Sequence, residues 1–299
     1  MIIRSFLTCT FLCAIFLTEA QTEEADSLYR LGRYFDASIA YERVLFEKSG
    51  SPSLELRRPG ETEAAGSEDR AKGPTGELFT AIIGKVRCLK RQQLFDQAVT
   101  FLNGWQSYPF SNSGRRELQS QQILCTYLGG HFENTLSLVD RWPYLHAGSP
   151  PAPALVVLKI LSLNELQRWA EAGAAYRTFI AQQPAMVAVP DLYEHLPHLK
   201  SVNKARWLSY FIPGGGQFYA GKPGEALLSV LIQSAGIYFA VLSWEQHYYI
   251  SAWLVGAALF GSFHMGGVRR SEGLVQEYNR KKILLFNEQV RAQLMGLLQ

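Results

Sequence analysis

Four sets of residues in this 299-residue chain have types and spacings that could do chemistry. Gly216 and Gly221-Lys222 reproduce most of a phosphate-binding loop, in which backbone N–H groups cradle phosphate and the lysine reaches its outer oxygens. The next residue is Pro223, where a magnesium-binding Ser or Thr is needed, and no strand-like run precedes the loop. No nucleotide is expected there. Glu194-His195 and His198 bring metal-ligating types close together, but Pro197 stands between the histidines. A partly exposed helix over Asp191–Lys200, with Leu192, Leu196 and Leu199 at helical spacing, is expected instead, as a cap on the preceding domain. Cys88 and Cys125 could form a redox pair. Gln217, Gln233 and His264 could line a polar path through an otherwise apolar region. No clustered acid–base pair or nucleophile motif is present. The expectation is a protein without catalytic residues, metal or cofactor, and not an enzyme.

The composition supports a structured, non-nucleic-acid class. Charged residues are 18% and the formal net charge is only +3, which argues against a dedicated nucleic-acid binder. The charge is unevenly placed: residues 200–299 carry a net +5 and the first 199 a net −2. The basic part also holds the charge-free apolar runs, the pattern of a soluble domain joined to a membrane segment.

The first residues read as an export signal. Arg4 is followed by the apolar run Phe6–Leu17, with small residues Thr18 and Ala20 before Gln21. Such a run is too short to cross about 30 Å of hydrocarbon as a helix. A charged start, a short apolar centre and a small-residue cut predict a secretory signal over residues 1–20. Phe11-Leu12 before Cys13 lacks the small residue a lipoprotein cut needs. Cys88 and Cys125 are then the cysteines of the mature chain.

Four segments share a helix–turn–helix pattern. The turn begins at Gly32, Gln93, Gly130 and Gln167, and an aromatic follows two residues later, at Tyr34, Phe95, Phe132 and Trp169. A small residue comes next, at Ala37, Ala98, Thr135 and Ala172; the last three are 37 apart. Tyr41, Leu102, Val139 and Tyr176 form a further column, and Val44, Trp105, Trp142 and Phe179 another. Glycine suits a tight turn, the aromatic plugs the groove between two helices, and the small residue lets the helices approach. Pro109 and Pro184 follow second helices and stop them. The pattern resembles the tetratricopeptide repeat family, with Gln93 and Thr135 as departures. That resemblance implies an all-α fold: a helical-hairpin solenoid over residues 21–200 that holds a peptide or helix of a protein partner. Cys88 and Cys125 share one column with Ser27 and Ser162, ten residues before the small residue. Equivalent positions in neighbouring units stand about 8–10 Å apart or more, beyond disulfide reach, so packing thiols are expected. The stretch Ser49–Gly76, rich in Gly, Ser, Pro and charge, cannot bury enough apolar surface to order itself. It is expected as a disordered insert, with a docking peptide as the alternative.

The C-terminal third reads as a membrane module. Ala226–Trp244 and Gln246–Val268 carry no formal charge, and each is long enough to span a bilayer. Ahead of them stand Pro213, Gly214, Gly216, Gln217, Tyr219 and Gly221. This Pro-Gly-x-Gly-Gln-x-Tyr-x-Gly pattern, with Gly266-Gly267 and Tyr278-Asn279 downstream, is similar to a largely uncharacterised bacterial membrane domain often fused to tetratricopeptide repeats. The glycines are expected to break a helix and permit close packing, with Gln217 satisfying the backbone groups so freed. The expected division is a membrane module over 201–270 with two transmembrane helices, then an amphipathic helix over 271–299 carrying Ile283, Phe286, Val290, Leu294 and Leu297. Whether Trp207–Gly221 crosses or re-enters, and on which side the tail lies, stays open. The expected location is the bacterial inner membrane, with membrane lipid as a partner and the repeats in the periplasm.

Overall fold

A computed structural model describes residues 22–49, 74–146, 148–182 and 190–297. The signal over 1–20, most of the insert and Pro184 lie outside the described residues. All regular structure among the described residues is helical. The chain divides into two compact units, Met1–Ala185 and Met186–Gln299.

Unit one contains α1 (residues 22–30), α2 (Tyr34–Ser49), α3 (Pro74–Arg91), α4 (Phe95–Gly104), α5 (Asn112–Leu128), α6 (Phe132–Leu145), α7 (Pro153–Glu165) and α8 (Trp169–Ala181). From α2 onward each helix packs on the next, and α5 also touches α3 and α7. The insert ends earlier than the composition suggests, since Pro74 already begins α3.

The four turns have one geometry. Gly32, Gln93, Gly130 and Gln167 all take the left-handed conformation, with φ of 77°, 60°, 80° and 57°. Each donates its N–H to the carbonyl three residues back, at Tyr29, Lys90, Tyr127 and Asn164. Each following residue donates five back, to Leu28, Leu89, Thr126 and Leu163. This is the Schellman cap, which satisfies carbonyls left open at a helix end. Gln93 and Gln167 therefore make the same turn as the glycines and accept the strain of a side chain in that region. The small column is fully buried: Ala37, Ala98, Thr135 and Ala172. Tyr41, Leu102, Val139 and Tyr176 are buried too, while Tyr34, Phe95, Phe132 and Trp169 are half-buried. Two of these turn aromatics meet the aromatic five residues earlier, Tyr29–Tyr34 at 5.3 Å and Tyr127–Phe132 at 5.6 Å.

Unit two contains α9 (Val202–Phe211), α10 (Gly215–Ala220), α11 (Pro223–Glu245), α12 (Tyr249–Val255) and α13 (Gly261–Leu297), with a π-helical turn over Gly256–Phe260. The expected helix over 191–200 is only a 3-10 turn at Leu192–Glu194 followed by irregular chain. Pro197 lacks an N–H for a helix ladder, and Tyr193 instead packs its ring on Phe286 of α13 at 5.6 Å. The second expected span is not one α-helix: it is split into α12, the π turn and the first residues of α13. The boundary expected at 270/271 is also absent, because α13 continues through it to Leu297.

The turn of unit one recurs here twice. Gly221 and His247, with φ of 88° and 67°, join α10 to α11 and α11 to α12. Both make the same three-back and five-back hydrogen bonds, and buried Ala226 and Ala252 stand five residues later, as Ala37 does after Gly32.

Candidate functional site

The residues singled out in the C-terminal third converge in one knot of α9, α10, α11 and α13. The glycines hold it together by what they lack. A Cβ on Gly214 would meet the Ala226 carbonyl oxygen at 2.5 Å, and one on Gly216 would meet the Ala205 carbonyl oxygen at 2.4 Å and Ser271 Cβ at 2.6 Å. Ser209 Oγ accepts from the Gly216 N–H at 3.1 Å, so Ser209 satisfies the backbone at the break. Gln217 does not, contrary to expectation. Its Nε2 donates to the Gly267 carbonyl of α13 at 3.0 Å, and its buried Oε1 has no partner among the described residues.

A second clasp joins Lys200 to the downstream pair Tyr278-Asn279. Asn279 Oδ1 accepts from the Lys200 N–H and Asn279 Nδ2 donates to the Lys200 carbonyl, both at 2.8 Å. The Lys200 ammonium donates to the Tyr219 carbonyl at 2.9 Å, near the C-terminus of α10, and lies 4.1 Å over the Tyr278 ring. The Ser201 N–H donates to the Tyr219 hydroxyl at 3.0 Å. Tyr219, Gly221, Tyr278 and Asn279 thus surround Lys200, a residue the sequence pattern did not single out.

These contacts fix the path of the broken segment. Just before α9, Lys200 meets Asn279; along the helix, Arg206 meets Glu272 and Tyr210 lies 6.3 Å from His264. The helix therefore runs antiparallel to α13. After the break, α10 returns from Gln217 beside Gly267 to Tyr219 beside Lys200. Residues 202–220 form a helical hairpin whose two ends meet at Lys200.

From that end α11 runs antiparallel to α13 with two polar rungs and a close approach between them. Glu225 pairs with Arg270 through two hydrogen bonds, at 2.8 and 3.0 Å. One turn on, Ser229 Oγ lies beside Gly267, 3.5 Å from where a Cβ would stand. At the next turn, Gln233 Nε2 donates to Ser229 Oγ at 3.0 Å and Gln233 Oε1 lies 3.3 Å from His264 Nδ1. Phe260 stacks on the His264 ring at 5.3 Å. Gln217, Gln233 and His264 are thus brought into one polar seam, flanked by small residues further along at Gly236 and at Ala240 opposite Gly256.

Outside this seam α11 is apolar and uncovered. Among the described residues it is the one helix long and apolar enough to cross a membrane, and only 17% of its apolar window is buried. A core helix of a water-soluble fold would be mostly covered. Trp244, Tyr248 and Tyr249 are exposed at its far end, and Trp207, Tyr210 and Phe218 on the re-turning hairpin.

No group of three metal-ligating side chains occurs among the described residues, so Glu194, His195 and His198 form no such cluster. Gly216–Lys222 are committed to helix packing and the α10 cap. Cys88 and Cys125 are free, buried thiols. Burial pushes each up to about 11, with Asp26 adding to the effect at Cys88. Both stay protonated and unreactive at neutral pH. Burial, helped by a hydrogen bond to Asp26, raises the Tyr41 hydroxyl as well.

Comparison with known protein families, with curated proteins and with solved structures finds no match.

Proposed function

We propose that this chain is a membrane-anchored, tetratricopeptide-like scaffold that presents its helical repeats to a protein partner in the bacterial cell envelope. One observation carries the reading. A single turn geometry with the same buried columns recurs four times in unit one, in a chain whose most apolar helix is left uncovered in unit two. Repeats that share contacts only with neighbours stack into a curved array whose concave side holds an extended peptide or a helix. In this reading α11 and the helical run from α12 through the π turn into α13 are the two legs of a transmembrane hairpin, and α9–α10 is a re-entrant hairpin. Both ends of the membrane unit then share one side. The export signal makes that side the periplasm, opposite to the usual bias of Lys and Arg towards the cytoplasm.

Crosslinking in native membranes, followed by detergent extraction of the full chain, should recover one defined envelope protein. Recovery of lipid and the chain alone would sink the scaffold. Reporter fusions within 50–73 and at Gln299 should both report the periplasm; opposite sides would refute the hairpin, and both cytoplasmic would refute the export signal.

A second reading rests on the polar rungs. In it the unit is an accessory part of an envelope transport or assembly machine, and the seam of Gln217, Gln233 and His264 is its working part. Replacing all three by Leu should then abolish complementation of a deletion strain while membrane insertion persists. An anchor would tolerate the change.

A further inference from the structure

The outer face of α9 changes character along its length. Asn203 and Lys204 stand at its start, Trp207 and Leu208 one turn on, and Phe211 and Ile212 at its end; all six are exposed. Asn203, Lys204, Trp207, Leu208 and Phe211 line a groove of about 370 Å³. The Trp207 and Phe211 rings stack beside it at 5.8 Å with an interplanar angle of 13°. The direction of α9 gives this order a meaning. Its start lies level with Asn279 and its end near His264, which also contacts Gln233, two turns or about 12 Å along α11 from Glu225. The face thus passes from a polar, cationic start to wholly apolar side chains in the direction in which α11 enters the apolar layer.

The same end of the unit has a surplus of positive charge. Lys200, Lys204, Arg206, Lys222, Arg269, Arg270, Arg280, Lys281 and Lys282 gather there, and the tip at 245–248 has no Lys or Arg. Glu225, Glu272 and Glu277 pair with Arg270, Arg206 and Lys281. No ion pair to Lys204 is found among the described residues.

We infer that the outer face of α9 is a binding site for an anionic phospholipid, with its phosphate at Lys204 and its acyl chain along Trp207, Leu208 and Phe211. The inference rests on the membrane anchor proposed above. Charge complementarity selects the headgroup, and a groove this small suits one chain and its headgroup better than a folded partner. Tryptophan at the interface supplies an apolar body beside a polar edge.

The test uses the full chain, inserted into vesicles of phosphatidylcholine alone or of equal parts phosphatidylcholine and phosphatidylglycerol, extracted gently and weighed with its retained lipid by native mass spectrometry. Phosphatidylglycerol should be retained in preference. Lys204→Gln should cut that preference roughly five-fold, the weight of one basic residue at an anionic surface, and Phe211→Ala should weaken retention of either lipid. Arg43→Gln makes the same change in net charge on the surface of unit one and should leave the preference intact. Equal effects of Lys204→Gln and Arg43→Gln, or no preference, would overturn the site. Displacement of the lipid by inorganic phosphate alone would overturn it in favour of a free anion. A disulfide between copies through Phe211→Cys would overturn it by naming a second chain as the occupant. A chain that never enters vesicles would instead refute the anchor, and flotation separates that result from the others.

Discussion

The energy of the recurring turn can be measured from both directions. Gln93 and Gln167 hold the left-handed conformation in which Gly32 and Gly130 sit at the equivalent places, with φ between 57° and 80°. An L-residue there costs about 1–2 kcal/mol. A Cβ on Gly32 or Gly130 would meet nothing within 4 Å among the described residues, so that conformational cost stands almost alone. Glycine loses about 0.4–1 kcal/mol more backbone entropy on folding, which offsets part of it. Gln93→Gly and Gln167→Gly should therefore each stabilise unit one by about 0.5–1 kcal/mol, and Gly32→Ala and Gly130→Ala should each destabilise it by the same amount. For a unit of this size each change shifts the midpoint by about 1–4 °C. Thermal unfolding of the full chain in mild detergent, followed by circular dichroism, reads all four. The pairs should add, because the turns lie in different helix pairs. Destabilisation by Gln93→Gly would refute the reasoning, since it would mean that the glutamine contributes contacts outweighing its strain.

Gly216→Ala should cost about 3 kcal/mol, because a carbonyl oxygen of α9 stands 2.4 Å from the new carbon and backbone cannot swing aside. Gly266→Ala, with nothing near it in the interior of α13, should instead gain up to about 1 kcal/mol; unfolding of the two variants in detergent compares them directly. Cys88 and Cys125 should resist a thiol reagent at neutral pH until the chain is unfolded. Their folded values lie above the unfolded one of 9.0, so between about pH 9 and 11 the unfolded state loses protons that the folded state keeps. The contribution of these thiols to stability therefore falls as pH rises through that window; a loss of stability no steeper than that of the Cys88→Ala, Cys125→Ala variant would contradict the burial of both thiols.

The columns of unit one were readable because each has a local cause. A Schellman cap needs one residue at positive φ, and a close helix crossing needs one small side chain, so both leave marks at fixed spacing. Gln93 looked like a departure only because residue type is a weaker signal than backbone geometry; a glutamine can be strained into the glycine conformation when the surrounding hydrogen bonds hold it. A histidine at 247 hides the same turn for that reason. The Lys200–Asn279 clasp was invisible from Lys200, since a reciprocal hydrogen bond across 79 residues has no periodicity. The run 191–200 has helical spacing of leucines, yet its packing is set by Phe286, far away in sequence. Hydropathy misplaces the end of the second apolar stretch because it changes near Arg269 while the backbone ladder does not.

That unbroken ladder has a consequence for how the chain can vary. From Gly261 to Leu297 α13 is about 55 Å of rigid rod. His264, Gly267, Arg270 and Asn279 are phased along it to meet partners on α10, on α11 and on the segment that leads into α9. Adding or deleting one residue between Arg270 and Asn279 would twist everything downstream by about 100° relative to everything upstream, carrying Asn279 away from Lys200. Loops in a protein absorb length changes; this shaft is geared, and it tolerates replacement of its teeth far better than a change in their number.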